Sequence, residues 1–182
     1  MEKTLLHVCC APCSVACIKH LRDEGIEPYG YFYNPNIHPL KEFRARKTTF
    51  IEYAHSIGMR AHIEHGYGLR EFIAGVYPDF SPKNRCGYCY TDRLNHAAQF
   101  AAEHGFRTFT TTLLISPYQN HELIIKVAND AAEKHGVEFL YRDFRPLFKE
   151  GQDEARELGL YMQKYCGCVF SEEERYAKRG KE

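Results

Sequence analysis

The stretch "DEGIEPYGYFYN", residues 23–34, joins the polar end of a helix-like segment to a short strand-like run through one glycine, Gly25. The same junction returns in "SIGMRAHIE" (56–64), "EHGFRTFTTTLL" (103–114) and "KHGVEFLY" (134–141). Gly25, Gly58, Gly105 and Gly136 stand where a helix should stop, because glycine enters the left-handed conformation that closes a helix without a Cβ clash. The segments between them carry helical spacing. Phe50, Ile51, Ala54 and Ile57 fall on one face, as do Leu123, Ile124, Val127 and Ala131, with Asn120 as the N-cap of the latter helix. With "TLLHVC" (4–9) as an opening strand, helices alternate with about five strands. That alternation predicts an α/β fold, a single Rossmann-like domain over residues 1–182 whose mostly parallel sheet is covered by helices on both faces. Beyond the alternation there is no repeat and no linker.

In such sheets ligands gather at the carboxyl ends of the strands, near the point where strand order reverses, and the first strand usually lies there. "HVCCAPCS" (7–14) begins as that strand ends. It puts Cys9, Cys10 and Cys13 where a nucleotide enzyme of this architecture carries its phosphate loop. There is no glycine-rich cradle, and Pro12 has no N–H to offer a phosphate. This weighs against an ATP-dependent tRNA sulfur transferase or a related pyrophosphatase, a rival function for the same architecture.

No apolar run approaches bilayer length, and the start "MEKTLLHVCC" lacks a basic region, a long apolar stretch and a cleavage site, so a cytoplasmic location without a membrane partner is expected. There most thiols stay reduced, and eight cysteines read as metal ligands or redox groups before structural staples. Cys17, alone on a helix, is expected to be a buried small residue. The 24 basic residues balance 24 acidic ones, so nothing resembles a general polyanion binder, and nucleic acid is neither excluded nor advertised. Local basic groupings remain, notably Lys41, Arg44, Arg46 and Lys47. They follow the aromatic, turn-rich "YFYNPNIHP" (31–39), the candidate for a loop at the mouth of a site that stacks bases while the basic segment holds phosphates. The opposite reading makes Tyr31 and Tyr33 the core face of a strand and the basic residues a wet helix face.

Cys10–Cys13 and Cys86–Cys89 form two CxxC pairs, and each spacing lets two sulfurs converge on one centre. Four thiolates around zinc would make a structural clip in a non-catalytic protein that binds RNA or a partner. That reading leaves Cys9, Cys166 and Cys168 without a role and puts one ligand pair where an active site belongs. An iron–sulfur cluster answers both objections. Spacing alone does not choose which four thiols bind. In "YCGC" (165–168), a pair one residue apart closes into a disulfide only through a strained ring, and strained disulfides are the easily reduced, catalytic kind. Cys166 and Cys168 therefore point to redox or metal chemistry.

"HVCCAPCS", "YNPNIHPLKEFRAR", "RCGYCYTDRL", "FTTTLLISPYQNHELI", "YRDFRP" and "YMQKYCGCVFSEEER", in this order over nearly the whole chain, resemble the cobalamin-independent epoxyqueuosine reductases, the QueH family. The resemblance implies a 4Fe-4S enzyme that removes the epoxide oxygen of epoxyqueuosine at the wobble position of tRNA, giving queuosine. It carries over Cys9, Cys10, Cys86 and Cys89 as cluster ligands and Cys166 and Cys168 as a redox-active pair. It also implies a second iron beside the cluster, for which Cys13 and one terminal thiol are candidates. The implied partners are tRNA carrying epoxyqueuosine and an electron donor that the sequence does not name. Opening the epoxide to an alkene takes two electrons and two protons, and Tyr118, Tyr141, Asp143 and His121 are candidate proton donors. A Lewis-acidic iron suits the epoxide oxygen.

Overall fold

The computed structural model describes residues 2–177. Strand β1 (Glu2–His7) leads into α1 (Ala11–Asp23), followed by β2 (Ile26–Phe32), α2 (Leu40–Ser56), β3 (Ala61–Ile63), α3 (Leu69–Val76) and α4 (Pro82–Glu103). Then come β4 (Thr108–Thr111), a 3-10 turn (Thr112–Ile115), α5 (His121–His135), β5 (Glu138–Phe139), a second 3-10 turn (Arg145–Leu147), α6 (Phe148–Glu157) and α7 (Val169–Ala177). The five strands run parallel in the order β3-β2-β1-β4-β5. The expected sheet is therefore present, with β1 at its centre and the order reversing between β1 and β4.

Each junction glycine turns the chain as expected, with φ of +80° at Gly25, +66° at Gly58, +73° at Gly105 and +67° at Gly136. The Asn120 side chain caps α5 by accepting from Leu123 N–H. Leu5 and Leu6 are neighbours on β1, so their side chains point to opposite faces, yet neither is exposed at all. Both faces of the sheet are thus covered. α1 packs on α2 and α6, while α4 packs on α3 and α5, which makes two helical groups. Leu94, Phe109, Phe32 and Phe50 fill the core between these elements and the sheet.

The helical faces are narrower than their spacing suggests. Phe50 and Ala54 are buried, but Ile51 is 40% exposed, since one residue rotates it about 100° off that face. In α5 the buried line is Ile124, Ala128, Ala131 and Ala132, with Leu123 and Val127 at its half-buried margins. Cys17 is fully buried, with its thiol directed at the Cys13 carbonyl. Among the described residues no helix is long and apolar enough to cross a membrane.

Candidate metal centre at the sheet switch point

β1 ends at His7, and the next three residues climb to the N-terminus of α1, where Cys10 is the N-cap in extended conformation. Cys13 lies in the first turn of the same helix. The three sulfurs of Cys9, Cys10 and Cys13 come within 4.8 Å of one another. An adjacent pair on a regular strand would diverge, but here the strand has ended. The helix N-terminus favours negative charge on such thiols. From the 3-10 turn that follows β4, Thr112 Oγ1 accepts the Cys9 N–H at 3.0 Å and lies 3.2 Å from Cys9 Sγ, fixing the doublet across the switch point. Hydrogen bonds from the Cys10 and Cys13 thiols hold Cys9 well below the ordinary thiol range. Cys10 is pushed up chiefly by burial, and Cys13 by its hydrogen bonds to Cys10 and Cys9. Three sulfurs converging within this distance are a donor set that suits a soft, thiolate-bound metal.

Beneath the thiols, His7 is fully buried between Thr111 Oγ1 at 2.8 Å and the Tyr33 carbonyl at 3.1 Å. Burial, with help from Arg93, lowers it to about 3, so the ring is a neutral brace.

Cys86 and Cys89 lie on α4, one turn apart, outside the three-sulfur group. Burial pushes Cys89 up to about 12 against the pull of Arg93. Arg93, four residues further along the same helix face, was not singled out from the sequence. Its side chain is buried, donating to Cys89 Sγ at 3.7 Å and to Asn34 Oδ1 at 2.7 Å, while its Nε lacks a partner among the described residues. Its charge also acts on Cys9 and Cys166, so one buried cation serves three parts of the site. The Cys86–Cys89–Arg93 spacing is the signal that could have found it.

The "YCGC" segment closes the other side. Gly167 has φ of +156°, outside the range of ordinary residues. Its carbonyl accepts His38 N–H at 2.8 Å. Arg46 donates to the Cys166 carbonyl at 2.8 Å and the Tyr165 carbonyl at 2.9 Å, and pairs with Glu42 at 2.7 Å. Glu42 also accepts from Tyr161 Oη at 2.5 Å, and the Tyr165 hydroxyl donates to the His38 carbonyl. Cys166 is exposed and Cys168 half-buried, both as free thiols. Gln119 Nε2 reaches Cys166 Sγ at 3.2 Å, and Gln163 Nε2 reaches Cys13 Sγ at 3.5 Å.

These contacts correct two expectations. Residues 34–38 do not form a loop at the mouth: Asn34, Asn36 and His38 are buried, with Asn34 bonded to the Val8 carbonyl and His38 to the Pro35 carbonyl. Tyr31 is buried as well, stacked on Phe100. The segment is a scaffold behind the thiols, because the carbonyls of 165–167 need donors that it and α2 supply. Nor is Arg46 a surface cation. Its side chain is 2% exposed, and that of Glu42 10%. Of the basic group only Lys41 and Arg44 are exposed, with Lys47 half-buried near His65.

Arg46→Ala leaves the buried Glu42 carboxylate without its cation and with only the Tyr161 hydroxyl as a partner, which should cost about 3–5 kcal/mol and lower the thermal midpoint by roughly 6–20 °C. A midpoint within about 2 °C of the wild type would show that the pair does not anchor the loop.

A crevice of about 1300 Å³ opens over this ground. Cys9, Cys13, Arg93, Thr112, Gln119, Gln163 and Cys166 line it, and Tyr118 stands at its edge, 85% exposed. His121 and Tyr141 bond to each other at 3.1 Å, and Asp143 is held by Arg145, which keeps its carboxyl at about 2. None of His121, Tyr141 and Asp143 lines the crevice.

The model of the family described as "Epoxyqueuosine reductase QueH" matches residues 4–174. An "Epoxyqueuosine reductase QueH" from Dehalococcoides mccartyi is 36% identical over 176 residues, covering 97% of this chain and 96% of its own. Its namesake from Thermotoga maritima is 37% identical over 189 residues, covering 98% and 94%. Among solved structures, the U34-tRNA thiolase NcsA from Methanococcus maripaludis, with its [4Fe-4S] cluster, superposes with a TM-score of 0.57 at 15% identity, over 93% of this chain and 61% of that one. A "predicted subunit of tRNA methyltransferase" from Methanocaldococcus jannaschii gives 0.56 at 12% identity, over 85% and 75%. These two likenesses concern the fold. The sequence matches, spanning every thiol of the site from Cys9 to Cys168, establish that this chain belongs to the epoxyqueuosine reductase QueH family.

Proposed function

We propose that this chain, acting as one domain, removes the epoxide oxygen of epoxyqueuosine at the wobble position of tRNA by a two-electron reduction, leaving queuosine and water. Family membership makes the enzyme an epoxyqueuosine reductase, an oxidoreductase of tRNA modification. The observation that carries the reading is the meeting of Cys9, Cys10 and Cys13 at the switch point with Cys166 on the wall of the same crevice.

In this reading Cys9, Cys10, Cys86 and Cys89 hold a 4Fe-4S cluster. Cys13, within the sulfur group yet left over by that set, is the protein ligand for a second iron. A cluster bound there supplies electrons one at a time. The chain's own residues do the rest. Arg93 offsets negative charge on the thiolates and on the oxygen as its carbon bond breaks, a task suited to a buried, pre-oriented cation. Gln119 and Gln163 direct amide donors at Cys166 and Cys13, fixing the rotamers of both thiols. Tyr118 is the candidate proton donor that reaches the crevice. Cys166 and Cys168 serve as the redox pair, and the electron donor that re-reduces them is a separate partner.

Anaerobic reconstitution with iron and sulfide tests the metal part. The protein should turn brown and carry acid-labile sulfide with its iron. Colourless protein holding stoichiometric zinc would favour a structural clip and contradict the proposal.

A further inference from the structure

We propose that the anticodon loop docks on the rim formed by α6, residues 163–165 and α7, with Tyr118 as the stacking platform for an unpaired base, and that the basic segment of α2 does not hold the RNA. The inference rests on the tRNA reading above and deepens it by assigning the surface.

Four cations line the crevice on this side: Lys149, Arg156, Lys164 and Arg175. Lys149 and Arg156 share a single carboxylate, Asp153, at 2.9 and 2.8 Å. Lys164 and Arg175 are exposed and have no ion pair among the described residues. The other crevice acid, Glu174, is already paired with Arg85. The lining of the crevice itself is thus biased to positive charge, with Arg93, Lys149, Arg156, Lys164 and Arg175 against Asp153 and Glu174, while Glu150, Glu154 and Glu157 of α6 and Glu172 and Glu173 of α7 lie outside that lining. A phosphate backbone crossing this rim meets two cations without an ion pair among the described residues and two more that a single carboxylate holds in place.

Tyr118 supplies the second half of the chemistry. The residue is 85% exposed and its ring meets that of Phe148 in a T-shaped contact at 5.9 Å between centroids, which leaves ring surface bare for stacking. Single-stranded RNA is recognised by aromatic rings that stack splayed bases beside basic groups that hold phosphates. A crevice of about 1300 Å³ has room for an extruded nucleotide, and a neighbouring base then lies at the level of Tyr118. The α2 segment offers neither feature: it does not line the crevice, and Arg46 is buried under the "YCGC" loop.

The test is equilibrium binding of a labelled anticodon stem-loop RNA, with a fully paired RNA of equal length as control, at several salt concentrations. Lys164→Glu with Arg175→Glu should weaken stem-loop binding at least tenfold and reduce the salt slope by roughly 1.4–1.8, the value for two lost phosphate contacts. Tyr118→Ala should weaken the stem-loop by about tenfold and leave the paired RNA unaffected. Arg44→Glu with Lys47→Glu should change neither. These are exposed or half-buried positions, and unchanged thermal midpoints would confirm intact folds. Wild-type affinity in the rim variants, or a loss confined to the α2 variant, would overturn the docking surface and leave the reductase reading standing. A wild-type protein that does not distinguish the stem-loop from the duplex would overturn both.

Discussion

Replacing Cys86 or Cys89 with serine is expected to bleach the reconstituted protein and cut turnover by more than about a hundredfold, the loss that even a partner outside the metal's own ligands can cause. Serine offers a hard, protonated oxygen where iron–sulfur clusters take thiolate, so it neither replaces the bond nor matches the charge. The two residues come from α4, while the rest of the sulfur comes from the β1–α1 junction, so the variants ask whether the two halves join. Cys13→Ser and Cys9→Ser separate the ligand sets. If Cys9→Ser loses the cluster signal and Cys13→Ser keeps it, Cys9 is the ligand and Cys13 the neighbour. The reverse result would put the Cys10–Cys13 pair on the cluster. Brown, active Cys86 and Cys89 variants would remove α4 from the centre.

The second large effect concerns the C-terminal thiols. Cys166→Ser and Cys168→Ser are each expected to keep the fold and the cluster spectrum while losing conversion of epoxyqueuosine. The loop is held by main-chain bonds from Arg46 and His38 and by Gly167, none of which needs a sulfur. Exposed or half-buried substitutions of this kind change stability by about 0.5 kcal/mol or less, so lost turnover could not be charged to unfolding. Cys166 faces the crevice and accepts from Gln119, whereas Cys168 accepts from Ser171 N–H at 3.4 Å. That arrangement suits one thiol at the substrate and one behind it. Substantial turnover by either variant would remove that cysteine from the mechanism, and loss of the cluster would make it a ligand instead.

Much of the fold was legible in short-range pattern. Four glycines after helical segments required helix ends, and the runs that followed required parallel strands, so β1 and its cysteines fell at the switch point. What sequence could not show is which polar residues face inward. Arg46 sits in a run that reads as wet helix surface, yet Glu42 one turn earlier neutralises it, and two carbonyls from a loop about 120 residues away absorb its remaining donors. Residues 34–38 misled for the same reason: turn-rich composition signals a loop but not what the loop packs against. Arg93 was findable from its helical spacing to Cys86 and Cys89. Gln119 and Gln163 were not, since each meets its thiol only through tertiary folding.

The central claim is reductive removal of one oxygen from a tRNA nucleoside at this metal site. It is tested most directly by nucleoside mass analysis of epoxyqueuosine-containing tRNA after anaerobic incubation with the iron- and sulfide-loaded protein and a strong reductant. The expected result is loss of epoxyqueuosine and appearance of a nucleoside lighter by one oxygen atom, with loaded protein and not with metal-free protein. Unchanged epoxyqueuosine with loaded protein, or equal conversion without metal, would contradict the account.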